Sequence, residues 1–319
     1  MASFSLFKNA ILLLAVLNVL LEPSVAEEHV VHDAYPRHNA SWTDLTLEGS
    51  KLFTDIELHM QLRPADCKPD DLPQEGETES DNCPGTADDN ILLSIRSSGK
   101  GPGFSEEKYE ENIMFNKTTF HPYTRIRMSN VKEKWVKNYY WEETGVRRQK
   151  ITPANSRENK QSQNTWTKRS ESFYLYPKEA DECSTISDPS LLLYILSTLE
   201  SDVQQESIKI CMFGKKQLHR LTIRQGQSSQ LKASYTKSSP SQEVYVKGQR
   251  SPFVFSIGVE TFAPGDGKQE EFSLFGLHED IRIYIDPEYH LPLRVSGKNN
   301  SIGKLVLNLT KVTENTPGL

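Results

Sequence analysis

Alternation of apolar and polar residues recurs along most of the chain and predicts a β protein. In DIELHMQLR, Asp55 to Arg63, Ile56, Leu58, Met60 and Leu62 fall on one face while Glu57, His59 and Gln61 fall on the other. That is the period of a half-buried strand. The same period returns at Phe253, Phe255, Ile257 and Val259, at Ile281, Ile283 and Ile285, and at Leu305, Leu307 and Leu309. Shorter runs occur at Ile208, Ile210 and Met212 and at Leu221 and Ile223. Strand follows strand with little helix between them, which favours antiparallel connections over βαβ crossovers.

One segment departs from this period. SDPSLLLYILSTLES places Leu192, Ile195, Leu196 and Leu199 at helical spacing. Asp188 is the expected N-cap, and Pro189 takes the first helical position, where its missing N–H is harmless. The expected architecture is therefore all-β and mainly antiparallel. It is a strongly curved sheet or incomplete β-barrel with one short amphipathic helix packed on its concave face.

The N-terminus changes the setting. A lone Lys8, an apolar run from Ala10 to Leu21, a helix-ending Pro23 and the small residues Ser24-Val25-Ala26 form the three regions of a secretory signal peptide, residues 1–26. Residues 27–44 are expected to follow as a mobile, polar lead-in, and 45–312 to form one curved-sheet domain with an acidic insertion at 66–90 and a tail at 313–319. Past the cut no apolar run is long enough to span a bilayer. The expected location is periplasmic or extracellular. Export also bears on Cys67, Cys83, Cys183 and Cys211, because disulfides persist outside the cytoplasm. Four cysteines allow three pairings. The local one, Cys67 with Cys83 and Cys183 with Cys211, is favoured because each bridge closes a loop between strands. With no CxxC and no cysteine-histidine pair at ligand spacing, no metal site is expected. A net charge of -6 argues against a nucleic-acid partner.

Catalytic signatures are missing: there is no GxSxG, HExxH or Walker-type loop. SSGKGPGFS, Ser97 to Ser105, reads as a hairpin loop because no helix follows its glycines. DPEYHLPLRVSG, Asp286 to Gly297, places an acid, a tyrosine, a histidine and an arginine close together. Strand geometry reads it as a turn at Asp286-Pro287-Glu288-Tyr289 between two strands, with Leu291, Leu293 and Val295 facing inward and His290, Pro292 and Arg294 outward. KEKWVKNYYW, Lys132 to Trp141, mixes bases with aromatics. It suits an anionic or sugar partner at Trp135, Tyr139 and Trp141, or simply one face of an exposed strand.

Two segments carry a resemblance. SDPSLLLYILSTL, and far downstream IDPEYHLPLRVSG followed by GKLVLNLTKV, resemble an exported bacterial family catalogued as a domain of unknown function (DUF3108-like). The matching features are Asp188 and Pro189, then Leu291, Pro292 and Arg294, then Leu305, Leu307 and Leu309. The resemblance covers roughly Leu45 to Val312. The family is similar in architecture to the LolA and LolB periplasmic lipoprotein carriers. That resemblance implies a hydrophobic concavity and a carrier role, and it transfers no catalytic residues.

The expected function is a non-enzymatic, cofactor-free cell-envelope protein. It would bind a lipid or acyl ligand between the sheet and the helix, through Leu192, Ile195, Leu196 and Leu199. The alternative is a structural or interaction protein of envelope or polysaccharide assembly, using Trp135, Tyr139 and Trp141. An envelope hydrolase is the least favoured reading.

Overall fold

The structure, a computed structural model, describes residues 31–33, 38–51, 54–65, 89–100, 107–130, 133–199, 207–226, 230–240, 242–262 and 270–314. The expected signal peptide and most of the acidic insertion, with Cys67 and Cys83, lie outside the described residues. Eighteen strands form a single sheet among the described residues. Its first half is an antiparallel meander of β2 (Trp42–Lys51), β3 (Thr54–Pro64), β4 (Asn90–Lys100) and β5 (Glu107–Asn116). The meander continues through β6 (Pro122–Ser129), β7 (Trp135–Glu142), β8 (Gly145–Thr152) and β9 (Lys168–Leu175).

The second half joins this meander through the last strand. β18 (Gly303–Glu314) pairs with β2 on one edge and β17 (Pro292–Asn299) on the other. From β17 the ladder runs on antiparallel through β16 (Glu279–Ile285), β15 (Phe253–Thr261), β12 (Gln217–Gly226) and β11 (Ser207–Gly214). The hairpin of β13 (Leu231–Ser239) and β14 (Gln242–Arg250) is inserted between β12 and β15, and it joins the end of β18 through three parallel positions. Two short strands, β1 (Val31–Asp33) and β10 (Ile186–Ser187), pair parallel with β11. β1 falls inside the expected lead-in. The reason is that strand pairing needs only an open backbone edge, which β11 offers, and no side-chain period.

The registers show how the sheet curls. Leu45, Met60, Ile95, Ile113, Phe115, Leu307, Val295, Ile283 and Ile208 share one face and the main core. Where β2 meets β18, a Cβ at Gly49 would collide with the carbonyl oxygen of Val306, so the two backbones approach as only glycine permits. The two ends of the ladder do not pair; they overlap. Tyr139, Trp141 and Val146, on the inner face of β7 and β8, pack against Cys211, Phe213 and Leu218, on the outer face of β11 and β12. The rings of Trp141 and Phe213 stand edge to face at 6.3 Å. The sheet is thus an open curl whose β7–β9 wing laps the outside of β11.

The segment between β9 and β11 fills the curl. A 3-10 turn, Pro189–Leu191, leads into helix α1 (Leu192–Thr198), and all seven helical residues are buried. An amphipathic helix lying on the sheet was expected; the observed helix is enclosed on every side. No charged residue occurs from Pro189 to Leu199, and a helix without a polar face has to be surrounded. Tyr194 packs its ring against Phe115 at 4.9 Å and Phe120 at 6.1 Å. A disulfide joins Cys183, just before β10, to Cys211 in β11, in agreement with the local pairing.

The hairpin at Asp286 is a structural turn. Asp286 is buried, and its Oδ1 accepts from the N–H groups of Glu288 and Tyr289. His290 closes the turn with φ of 52°. Leu291, Leu293 and Val295 face the core as expected, but Pro292 is buried as well, because the ladder shifts register between Tyr284 and Ile285.

Ile195 has no exposed surface and sits in the centre of this packing. Ile195→Ala removes core methylenes that the rigid curl cannot replace, and is expected to lower unfolding free energy by about 2–5 kcal/mol in urea titrations. A loss below about 1 kcal/mol would show that the helix is not an integral part of the core.

Candidate functional site

Within the curl, one buried polar group divides the inner face of the meander into two zones. Asp188 caps the turn before α1: its Oδ1 accepts from the Ser190 N–H at 2.8 Å, and its Oδ2 accepts from Arg125 Nη1 at 2.6 Å. Arg125 Nη2 also donates to Glu111 Oε2 at 3.1 Å, and the Ser190 hydroxyl donates to Glu111 Oε1 at 2.5 Å. Arg127 pairs with the same Glu111 at 2.8 Å. Burial opposes the charge on Glu111, but Arg125, Arg127 and the Ser190 hydroxyl outweigh it and hold that carboxyl below the usual range. Burial pushes the Asp188 carboxyl up against the pull of Arg125.

On the helix side of this group the inner face is apolar, with Ile113 and Phe115. On the other side it becomes cationic. Directly opposite positions on consecutive strands run Glu111, Arg127, Lys137, Lys150 and Ser170 from β5 to β9. The adjacent row toward the helix runs Ile113, Arg125, Tyr139, Arg148 and Ser172. The row on the far side carries Tyr109, Ser129 and Trp135. Five cations, Arg125, Arg127, Lys137, Arg148 and Lys150, thus share a patch in which the carboxylates that bond them are Glu111 and Asp188.

The uncompensated part lies over β7 and β8. Lys150 makes no hydrogen bond or ion pair with any described residue. Arg148 donates to the Ser172 hydroxyl at 3.2 Å, yet its Nε is buried without a partner. Lys137 lays its ammonium on the Trp135 ring, 4.0 Å from the centroid. Burial, then the charges of Arg127, Lys150, Arg148 and Arg125, bring the Lys137 ammonium down to a pKa of about 8. This surface is preorganised to accept negative charge, since a bound anion would relieve repulsion already present.

The loop joining β8 to β9 borders this shelf and is ordered around one acid. Glu158 accepts from the N–H groups of Ala154 and Thr167 and from the Thr167 hydroxyl, while Trp166 donates its indole N–H to the Glu158 carbonyl. Lys134, just ahead of Trp135, donates to the Asn159 carbonyl at 2.7 Å. The loop therefore holds the start of β7 in place.

The residues singled out from sequence fall into different places. Leu192, Ile195, Leu196 and Leu199 are core residues, filling the space in which an apolar ligand was expected. Tyr139 and Trp141 are buried in the overlap seam, because β7 is covered by β11 at that end. Trp135 alone of the three expected partner residues stands on the open shelf. Sequence reasoning passed over Arg127, Arg148 and Lys150. The available signal was a base at every second position in RIR and RQK, but only the register shows that these bases align with Lys137. A further cleft of about 260 Å³ is lined by residues of β13, β17 and β18, Leu231, Tyr235, Leu293, Arg294 and Leu309 among them.

Comparison with known proteins adds little to these observations. No family model and no curated protein matches the sequence. Among solved structures the chain is similar to a "Beta-barrel-like Protein of Domain of Unknown Function DUF1849" from Brucella abortus. The identity is 5%, the TM-score is 0.42, and the match covers 88% of this chain and 100% of that one. The resemblance to the DUF3108-like family and the LolA and LolB carriers is not among these matches.

Lys137 provides a check on the electrostatics. Its folded value of about 8 lies below the ordinary 10.5, so between these limits the unfolded chain holds more protons and this group's contribution to stability rises with pH. Below pH 8 the full penalty is present. Lys137→Met should therefore be more stable than the parent by a constant amount below pH 8, with the advantage fading toward pH 10.5 in urea titrations. An advantage independent of pH would mean that Lys137 is not strained by its neighbours.

Proposed function

We propose that this chain is an exported, non-enzymatic module of the cell envelope that holds an anionic ligand on the concave shelf of β6–β9. One observation carries the reading: Arg127, Lys137 and Lys150 stand directly opposite one another on three consecutive strands. Like charges facing each other across a ladder destabilise a sheet, and such local conflicts are typical of functional surfaces. The N-terminal signal pattern supports export.

The interior favours this over the carrier reading. An acyl chain needs apolar space, and helix α1 already occupies the centre of the curl. A ligand recognised by its charge needs only the shelf. This is the interaction-protein alternative, with its contact surface moved from Tyr139 and Trp141 to the cations Arg127, Lys137, Arg148 and Lys150.

Inorganic polyphosphate serves as a generic polyanion to test the shelf. Calorimetric titration should show binding at low salt that weakens steeply as ionic strength rises. Lys150→Glu should reduce the affinity at least tenfold, whereas Lys232→Glu, an exposed charge reversal on β13, should leave it unchanged. Equal losses in both variants, or salt-independent binding, would place the anion elsewhere.

A further inference from the structure

The shelf combines charge with aromatic surface in a way that a bare anion does not require. The row beside the cations carries Tyr109 and Trp135, whose ring centroids are 6.4 Å apart and inclined at 39°. Tyr109 is 37% exposed and Trp135 is partly exposed. Both therefore sit at the mouth of the shelf rather than in its packed end. Along β7, Trp135 and Lys137 point the same way, and the ammonium lies over one face of the indole, 4.0 Å from its centroid, so the ring edge and the ammonium form one contact surface.

We infer, resting on the anion-binding reading above, that the ligand is an acidic polysaccharide built from uronic-acid units. The weakly positive C–H face of a pyranose ring suits the electron-rich face or edge of an aromatic side chain. A carboxylate on that sugar then falls toward the adjacent cations. Neighbouring strands set Arg127, Lys137 and Lys150 about 4.8 Å apart, the scale of one sugar residue and therefore of one carboxylate per unit. Arg127 and Arg148 present planar guanidiniums, which match carboxylate geometry, although Arg127 is shared with Glu111.

Two other anion classes fit less of the surface. A lipid headgroup would bring acyl chains that find no apolar trough beside the shelf among the described residues, since the interior there holds α1. A nucleic acid would stack its bases on the same rings, but its denser charge meets a chain with net charge -6. The sugar acid uses both halves of the shelf, the rings and the cations, at a matching charge spacing.

The test compares four probes by calorimetry on the full mature chain: oligogalacturonate, neutral dextran, inorganic polyphosphate and phosphatidylglycerol vesicles. Oligogalacturonate should bind and dextran should not. Trp135→Ala should weaken oligogalacturonate at least tenfold while leaving polyphosphate unchanged, and Trp135→Phe should restore most of the loss. Lys150→Glu should weaken both anions. If polyphosphate or the vesicles bind and oligogalacturonate does not, or if Trp135→Ala weakens every anion alike, the sugar assignment is overturned while the anion shelf stands. If no anion binds, the shelf itself fails as a binding site.

Discussion

Everything inside the curl depends on how one buried arginine is satisfied. Arg125 projects from β6 into the interior, where an unpaired guanidinium would cost several kcal/mol. Asp188 and Glu111 meet it, and Asp188 is at the same time the residue that starts the helical plug. The pairing therefore fixes α1 against β5 and β6 in one position, which hydrophobic contact alone would leave free to slide. Removing one partner leaves the others charged and buried, so the group acts as a unit.

The overlap of the sheet ends explains why the two faces of β7 are used so differently along its length. At the Trp141 end the strand laps over β11, and its inner face becomes a dry seam around Phe213. At the Trp135 end nothing among the described residues of the second half of the sheet covers it, and the same face turns cationic. A closed barrel would have bonded β9 to β11 and left no such wing. The shelf is a by-product of leaving the sheet open.

The fold was largely legible because its strongest strands are half buried: β3, β11, β12, β15, β16 and β18 each show the two-residue period. The meander strands β6 and β8 escaped notice for the reason that makes them interesting. RIRMS and RRQK carry bases on the inward positions where a period-two reading expects apolar residues, so Ile126 and Met128 mark the wrong face in one and no alternation survives in the other. The helix was found at the right place but misjudged as amphipathic, since spacing reveals periodic leucines and only the curl reveals that the remaining side is covered too. Of the candidate site, the sequence pointed to Trp135 and the mixed bases and aromatics of Lys132 to Trp141, but not to Arg127, Arg148 and Lys150 beside them. The site exists only in the cross-strand alignment of residues from three hairpin arms, and alignment across strands has no signature in a single chain.

The pairing of β2 with β18 carries a consequence for how the molecule comes into being. Thr310 donates to the carbonyl of Thr46 across 264 positions of sequence, and Trp42 stands opposite Glu314. Such distant contacts close large loops late and slow the search. The eight-strand meander can assemble as it emerges, yet the ladder that continues it is synthesised well after it. One long edge of β2 must therefore wait, bare, until β18 has been made. Until β18 arrives the two halves of the sheet cannot lock together, and the open edge of β2 is where a partly made chain could pair with a foreign strand.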